Sequence, residues 1–285
     1  MERTWQRWRD RLLALIPQHL RAANVVLPSA DASIQPQDIP QLRLQFEQTI
    51  PAALLAVFDD QPLAAGDPRF VGREEAFEGV DAAIAAWQNN RPSLTAVVAS
   101  HGAGLSSFLN QLRKKFPVNS GITHFSLAVR PSTCDSALSI VAKIFSLAQT
   151  PATVAQAIST INALAPTVLI IDDGHMLVSR QMGSQAGVQT LLAILVATQE
   201  RHCWILGCAK QAWRRLSYLH TVESFFERVI TLDYLDAEEL NDAIERRLYG
   251  TGYHWAMRTD MESEKEDPLT VYTKKLHDLS FGHLP

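Results

Sequence analysis

One short stretch in the first half of the chain holds the residues with the most chemistry in their spacing. Ala99-Ser100-His101-Gly102-Ala103-Gly104-Leu105-Ser106 follows a β-branched, apolar run, Leu94 to Ala99, and leads into helical periodicity from Leu105 to Phe116. A strand, a glycine turn and a helix in that order make a cradle for phosphate, because backbone N–H groups and a helix N-terminus converge on an anion at close range. The pattern G-x-x-x-x-G-K-[ST] is met where it governs backbone shape. Gly102, Ala103 and Gly104 stand where the chain has to turn, Ser106 where a hydroxyl meets Mg²⁺, and Ser107 where a further phosphate oxygen can be reached. The lysine position is Leu105. Losing that cation removes a charge-assisted contact to the β and γ phosphates worth about 1.5–3 kcal/mol, and more where charge develops in phosphoryl transfer. Hydrolysis should suffer more than binding.

A second constellation follows later. Val168-Leu169-Ile170-Ile171-Asp172-Asp173 is an apolar strand ending in two carboxylates, the first suited to holding Mg²⁺ and the second to orienting an attacking water. Paired aspartates before Gly174 also form an ordinary solvated turn, so the motif alone decides little. Order adds the specificity: a glycine loop after one strand and carboxylates after a later one meet at the carboxyl edge of a single parallel sheet.

The elements that must position these groups can be read from periodicity. From about residue 70, strand-like runs alternate with helical ones, the sequence form of a parallel sheet covered on both faces. Strands are expected at Leu94–Ala99, Ile122–Val129, Val168–Ile171, Cys203–Cys208 and Val229–Leu232. Helices are expected at Leu105–Phe116, Asp135–Ala148, Thr153–Leu164, Gln185–Gln199 and Ala237–Leu248. Ahead of this core, residues 2–22 read as an amphipathic helix with Trp5, Trp8, Leu12, Leu15, Ile16 and Leu20 on one side and arginines on the other. The six prolines between Leu27 and Arg69 imply a partly extended connector, interrupted by a short helix around Gln41 to Phe58.

With these residues in view, the region from 69 to 285 resembles the AAA+ and related STAND groups of P-loop ATPases. Phe70-Val71-Gly72-Arg73-Glu74 is similar to the box that opens the family's core and lies against adenine. Asp172-Asp173-Gly174-His175 resembles the Asp-Asp-x-His form of the second carboxylate motif, and Trp204-Ile205-Leu206-Gly207-Cys208 takes the sensor-1 place. That place usually offers Thr or Asn, so Cys208 or Lys210 would have to serve. Phe225 to Leu232 resembles the lead into a helical lid, making Arg228 the candidate arginine finger, and Leu279-Ser280-Phe281-Gly282 looks like the turn before the sensor-2 helix. The resemblance implies a five-stranded α/β P-loop core over residues 69–235, a partial helical lid over 236–285 and an N-terminal extension over 1–68. It also implies ATP or ADP with Mg²⁺ as ligand. Val71, Gly72, Arg73, Gly102, Ala103, Gly104, Leu105, Ser106 and Ser107 would bind nucleotide, Ser106 and Asp172 the metal, and Asp173 and Arg228 would be the catalytic candidates.

Composition bounds the partners. A net charge of −4 and a pI near 6.1 give no global attraction to nucleic acid or anionic lipid, so either partner would need a local patch. Residues 2–22 supply one such patch and are the segment that would touch a membrane surface. Three irregularly spaced cysteines, Cys134, Cys203 and Cys208, make neither a disulfide framework nor a zinc site, and read as buried thiols in a reducing cytoplasm. The function expected from the whole is a nucleotide-linked regulatory or scaffolding module that self-associates and binds other proteins. Two alternatives stay open: an active ATPase that assembles or remodels a complex, and a DNA-linked ATPase of the transposition or replication-initiation kind.

Overall fold

The computed structural model describes residues 52–59, 61–115, 121–178, 185–253, 273–274 and 277, all within a unit running Pro51–Pro285. The helix expected at 2–22, the connector before residue 52, the charged stretch Arg258 to Asp267 and the turn Leu279 to Gly282 lie outside them.

Five strands form one all-parallel sheet: β1 (Leu94–Ala99), β2 (Ile122–Ser126), β3 (Val168–Asp172), β4 (Cys203–Ala209) and β5 (Arg228–Leu232), in the order β2-β3-β4-β1-β5. β1 and β3 are buried along their whole length, as strands covered on both faces must be. Alternate residues serve alternate faces. Leu94, Ala96, Val98, Trp204, Leu206 and Cys208 belong to one core cluster, and Val97, Ala99, Cys203 and Ile205 to another.

The helices cover both faces. α1 (Ala52–Val57) precedes the core, α2 (Glu74–Gln88) and α3 (Leu105–Lys115) supply Val80, Ile84, Phe108 and Leu112 to the second cluster. α4 (Cys134–Ile144), α5 (Val154–Ala163), α6 (Gln185–Thr198) and α7 (Lys210–His220) pack on the first. α8 (Ala237–Leu248) follows β5 and builds a small cluster of Leu235, Leu240, Ala243 and Ile244 with Phe58 and Val71. Local chemistry sets the starts: Thr133 with Ser136, and Asp236 with Glu239, form reciprocal capping boxes on α4 and α8, and Thr153 caps α5 rather than beginning it.

The five expected strands and five expected helices are present, Leu94–Ala99 and Ala237–Leu248 with the expected ends and the others with shifted ones. β2 stops at Ser126 instead of Val129, because its partner strand β3 ends at Asp172; the last rung is the Leu127 N–H donating to the Asp172 carbonyl at 3.2 Å. α4 stops at Ile144, ahead of Ser146 at φ +50°, where a right-handed helix cannot continue. Of the short helix expected from Gln41 to Phe58, the described part is α1. Cys203 and Cys208 are buried as expected, and burial pushes their thiols up to about 11 and about 12. Cys134 is a correction: it is exposed at the first turn of α4, where Thr190 Oγ1 donates to its sulfur.

Candidate functional site

The sheet order decides which loops meet. β4 lies between β1 and β3, so the loop after β1 and the carboxylates after β3 stand two strand spacings apart, about 10 Å. Both line one cavity of about 490 Å³, the size of a small-molecule site. Its wall includes every residue from Ala99 to Ser107, together with Asp172 and Asp173.

The loop has the backbone its glycines promised. Gly102 and Gly104 lie at φ +77° and +82°, a region that side chains rarely tolerate, and a Cβ on Gly104 would meet nothing within 4 Å. The loop therefore presents bare backbone to open space, and α3 starts at Leu105 directly behind it. Two loop carbonyls are held by side chains from elsewhere. Tyr234 Oη donates to the His101 carbonyl at 3.2 Å, and Arg73 Nη2 donates to the Ala103 carbonyl at 3.0 Å.

Asp172 is buried, and its Oδ1 accepts the Asp173 N–H at 2.7 Å, while Oδ2 has no hydrogen-bond partner among the described residues. Gly207 on β4 lies beside this corner, where a Cβ would meet Leu109 Cδ1 at 2.5 Å and Asp172 Oδ1 at an ordinary 3.5 Å. A carboxylate oxygen without a partner and the Ser106 hydroxyl, facing one cavity, are the hard oxygen donors that Mg²⁺ takes, so the residues present fit that ion. Asp173 sits at φ +59° and is engaged differently: Ser126 Oγ donates to its Oδ2, and His175 Nδ1 lies 3.6 Å from its Oδ1.

The other wall comes from residues far away in sequence. Leu63, Phe70, Val71, Leu235 and Ala243 make it apolar, while Arg69, Arg73 and Arg247 bring positive charge. The segment before the core is tied to α3 by four hydrogen bonds: Leu63 N–H to Ser107 Oγ, Asn110 Nδ2 to the Leu63 carbonyl, Gln111 Nε2 to the Ala64 carbonyl and Gly66 N–H to Gln111 Oε1. Arg246 on α8 donates to the carbonyls of Pro68 and Phe70, both at 3.2 Å, and so docks this helix on the same segment. Arg69 is paired with Asp67 at 2.7 Å, which holds the Asp67 carboxyl below its usual range. Arg247 is buried, and among the described residues its one hydrogen bond is Nη1 to the Ala243 carbonyl at 3.3 Å. Burial and the neighbouring Arg69 lower its pKa, with Asp67 and Asp59 opposing.

Several expected residues fall elsewhere. Gly72 does not line the cavity but, at φ +68°, lets the chain turn hard against Glu239, whose Oε1 would lie 2.2 Å from an added Cβ. Cys208 is turned away: Gly207 and Ala209 line the cavity, so Cys208 faces the opposite core, and Lys210 is not in the wall either. Arg228 is exposed as the first residue of β5, paired with Thr95 at the amino edge of the sheet, opposite the loop edge. Tyr234, Leu63 and Arg247 have no motif in the sequence; the only signal is an arginine two turns after a capping box, which many solvated helices share.

Neither a protein-family model nor a curated protein matches the sequence. Solved structures do. The chain is similar to a Walker-type ATPase of Pyrococcus abyssi, with 13% identity over 80% of this chain and 68% of that one, at a TM-score of 0.54. It is also similar to the Aeropyrum pernix ORC1 protein in complex with DNA, with 16% identity over 70% of this chain and 55% of that one, at a TM-score of 0.50. The chain thus spans little more than half the length of that ORC1 protein. At these identities the likeness concerns the fold, and the fold is that of an AAA+ P-loop ATPase.

Proposed function

We propose that this chain is a nucleotide-binding module of the AAA+ type, taking ATP or ADP with Mg²⁺ and hydrolysing weakly or not at all, in a regulatory or scaffolding role. The observation behind it is one cavity that joins a left-handed double-glycine loop to a buried Asp172, with Leu105 where the loop's cation would stand. Phosphates would lie against the loop N–H groups, and the base would occupy the apolar wall of Leu63, Phe70, Val71 and Leu235. Ser106 and Asp172 would hold Mg²⁺, whose charge would neutralise phosphate oxygens. Weak hydrolysis has two supports: the missing lysine, and an Asp173 carboxylate already engaged by Ser126 and His175. In this reading residues 69–235 are the nucleotide core, 236–285 begin a lid and 1–68 form an extension.

Arg228, at the far edge from its own cavity, could reach phosphate only on a second copy, which makes self-association the arrangement in which it acts. Calorimetry with ATP and ADP, with and without Mg²⁺, tests the reading, together with phosphate release and mass in each state. Micromolar binding with negligible turnover supports it; no binding of either nucleotide overturns it, and turnover abolished by Asp173→Asn replaces it with an active ATPase. Salt-sensitive binding to duplex DNA would place the module among DNA-linked ATPases instead.

A further inference from the structure

Among the charged residues in the cavity wall, only Arg73 is hydrogen-bonded to the phosphate loop. Its Nη2 donates to the Ala103 carbonyl at 3.0 Å, which uses one of the five N–H donors of a guanidinium. Among the described residues no carboxylate lies within the 4.0 Å of an ion pair with it. Arg69, by contrast, is neutralised by Asp67, and Arg247 bonds within its own helix. Burial lowers the Arg73 pKa, and Glu239, Asp233 and Glu74 oppose that shift only at longer range, without pairing the guanidinium.

The backbone that delivers this side chain is costly to make. Gly72 and Arg73 are consecutive left-handed residues, at φ +68° and +76°, and for Arg73 that conformation carries a penalty of about 1 kcal/mol or more. The turn is locked from outside by Glu239, which fills the space beside Gly72 and also closes the capping box of α8. A strained, locked residue that ends with its guanidinium on the loop faces a loop whose own cation position is Leu105.

We infer that Arg73 supplies from the preceding segment the positive charge that the phosphate loop lacks, so that nucleotide phosphates are held between the loop N–H groups and the Arg73 guanidinium. This rests on the nucleotide reading above and specifies which residue makes it work without lysine. It also makes phosphate binding depend on α8, since Glu239 of that helix locks the turn that aims Arg73.

The test moves the charge. Adenosine and ADP binding is measured by calorimetry for wild type, Arg73→Gln, Arg73→Lys, Leu105→Lys and the pair Arg73→Gln/Leu105→Lys. Arg73→Gln should weaken ADP about 10- to 100-fold, the range for one charge-assisted contact, and leave adenosine within about 2-fold. Arg73→Lys should fall between, and the pair should recover most of the ADP loss. Three results would overturn the inference while wild type still binds ADP: Arg73→Gln binding ADP as wild type does, adenosine weakened as much as ADP, or no recovery in the pair. If Arg73→Gln does not fold, Arg73→Lys against Arg73→Lys/Leu105→Lys makes the same comparison. Failure of wild type to bind ADP at all overturns the nucleotide reading itself.

Discussion

Two glycines at the site would receive a methyl group at the same 2.5 Å separation, yet the consequences should differ because of what the methyl meets. A Cβ on Gly174 comes within 2.5 Å of the Gly207 carbonyl oxygen, and within 3.1 Å of Cys208 Cβ and Leu206 Cδ1. The closest partner is backbone of β4, held by parallel ladders to β1 on one side and β3 on the other, so it cannot retreat. The turn bearing Asp172 and Asp173 must move instead. On Gly207 the methyl meets Leu109 Cδ1, the tip of a side chain, with Asp172 Oδ1 and the Ile171 carbonyl at a comfortable 3.5 Å. Overpacking costs about 1–3 kcal/mol, so Gly174→Ala belongs at the top of that range and Gly207→Ala near the bottom. For a unit of this size 1 kcal/mol shifts Tm by about 2–4 °C, giving losses of about 6–12 °C and about 2–4 °C. Double-mutant cycles in thermal or urea unfolding separate the mechanisms. Gly207→Ala with Leu109→Ala should be milder than the sum of the singles by about 1 kcal/mol, because the new methyl enters the space that the leucine vacates. Gly174→Ala with Leu206→Ala should be additive within about 0.5 kcal/mol. Equal couplings in the two cycles, or a Gly174→Ala Tm within about 1 °C of wild type, would refute the claim that the carboxylate turn is wedged against the central strand.

Three further outcomes are expected. His202 is fully buried with Nε2 on the Ile161 carbonyl at 3.1 Å, and burial lowers its pKa; the unfolded chain therefore takes up a proton below about pH 6.5 that the fold refuses. Stability should be flat above pH 7 and fall as the pH drops toward 5, by at most about 1.4 kcal/mol per pH unit from this group, and His202→Phe should flatten the slope in urea titrations. Asp236→Ala removes the cap of α8 and should cost about 1 kcal/mol; because the same box includes Glu239, it should also weaken ADP binding, whereas Thr133→Ala on α4 should cost similar stability and leave ADP unchanged in the same calorimetric assay. Arg247→Met keeps volume but deletes a buried guanidinium without a carboxylate partner within 4.0 Å, so Tm should hold or rise while ADP affinity falls several-fold. A lower Tm with unchanged affinity would make Arg247 a structural residue only.

Along the chain, what could be read was whatever depends on near neighbours. Alternation and β-branched runs located all five strands, the glycines of the loop announced their left-handed turns, and Leu105 was visible as a missing charge without any coordinates. Strand ends were less legible, since β2 ends where Leu127 finds the Asp172 carbonyl, a partner 45 residues away. Of the site's far wall, the sequence singled out only the stretch Phe70 to Arg73. Leu63 and Tyr234 bond to the loop, and Arg247 shares its cavity, through packing of the segments before β1 and after β5, and no spacing rule links residues 44 to 133 positions apart. Cys208 shows the same limit at its smallest scale. The strand from Cys203 was located, but a strand alternates faces at every residue, so only its register in the sheet decided that Gly207 and Ala209 face the cavity while the Cys208 thiol faces the opposite core.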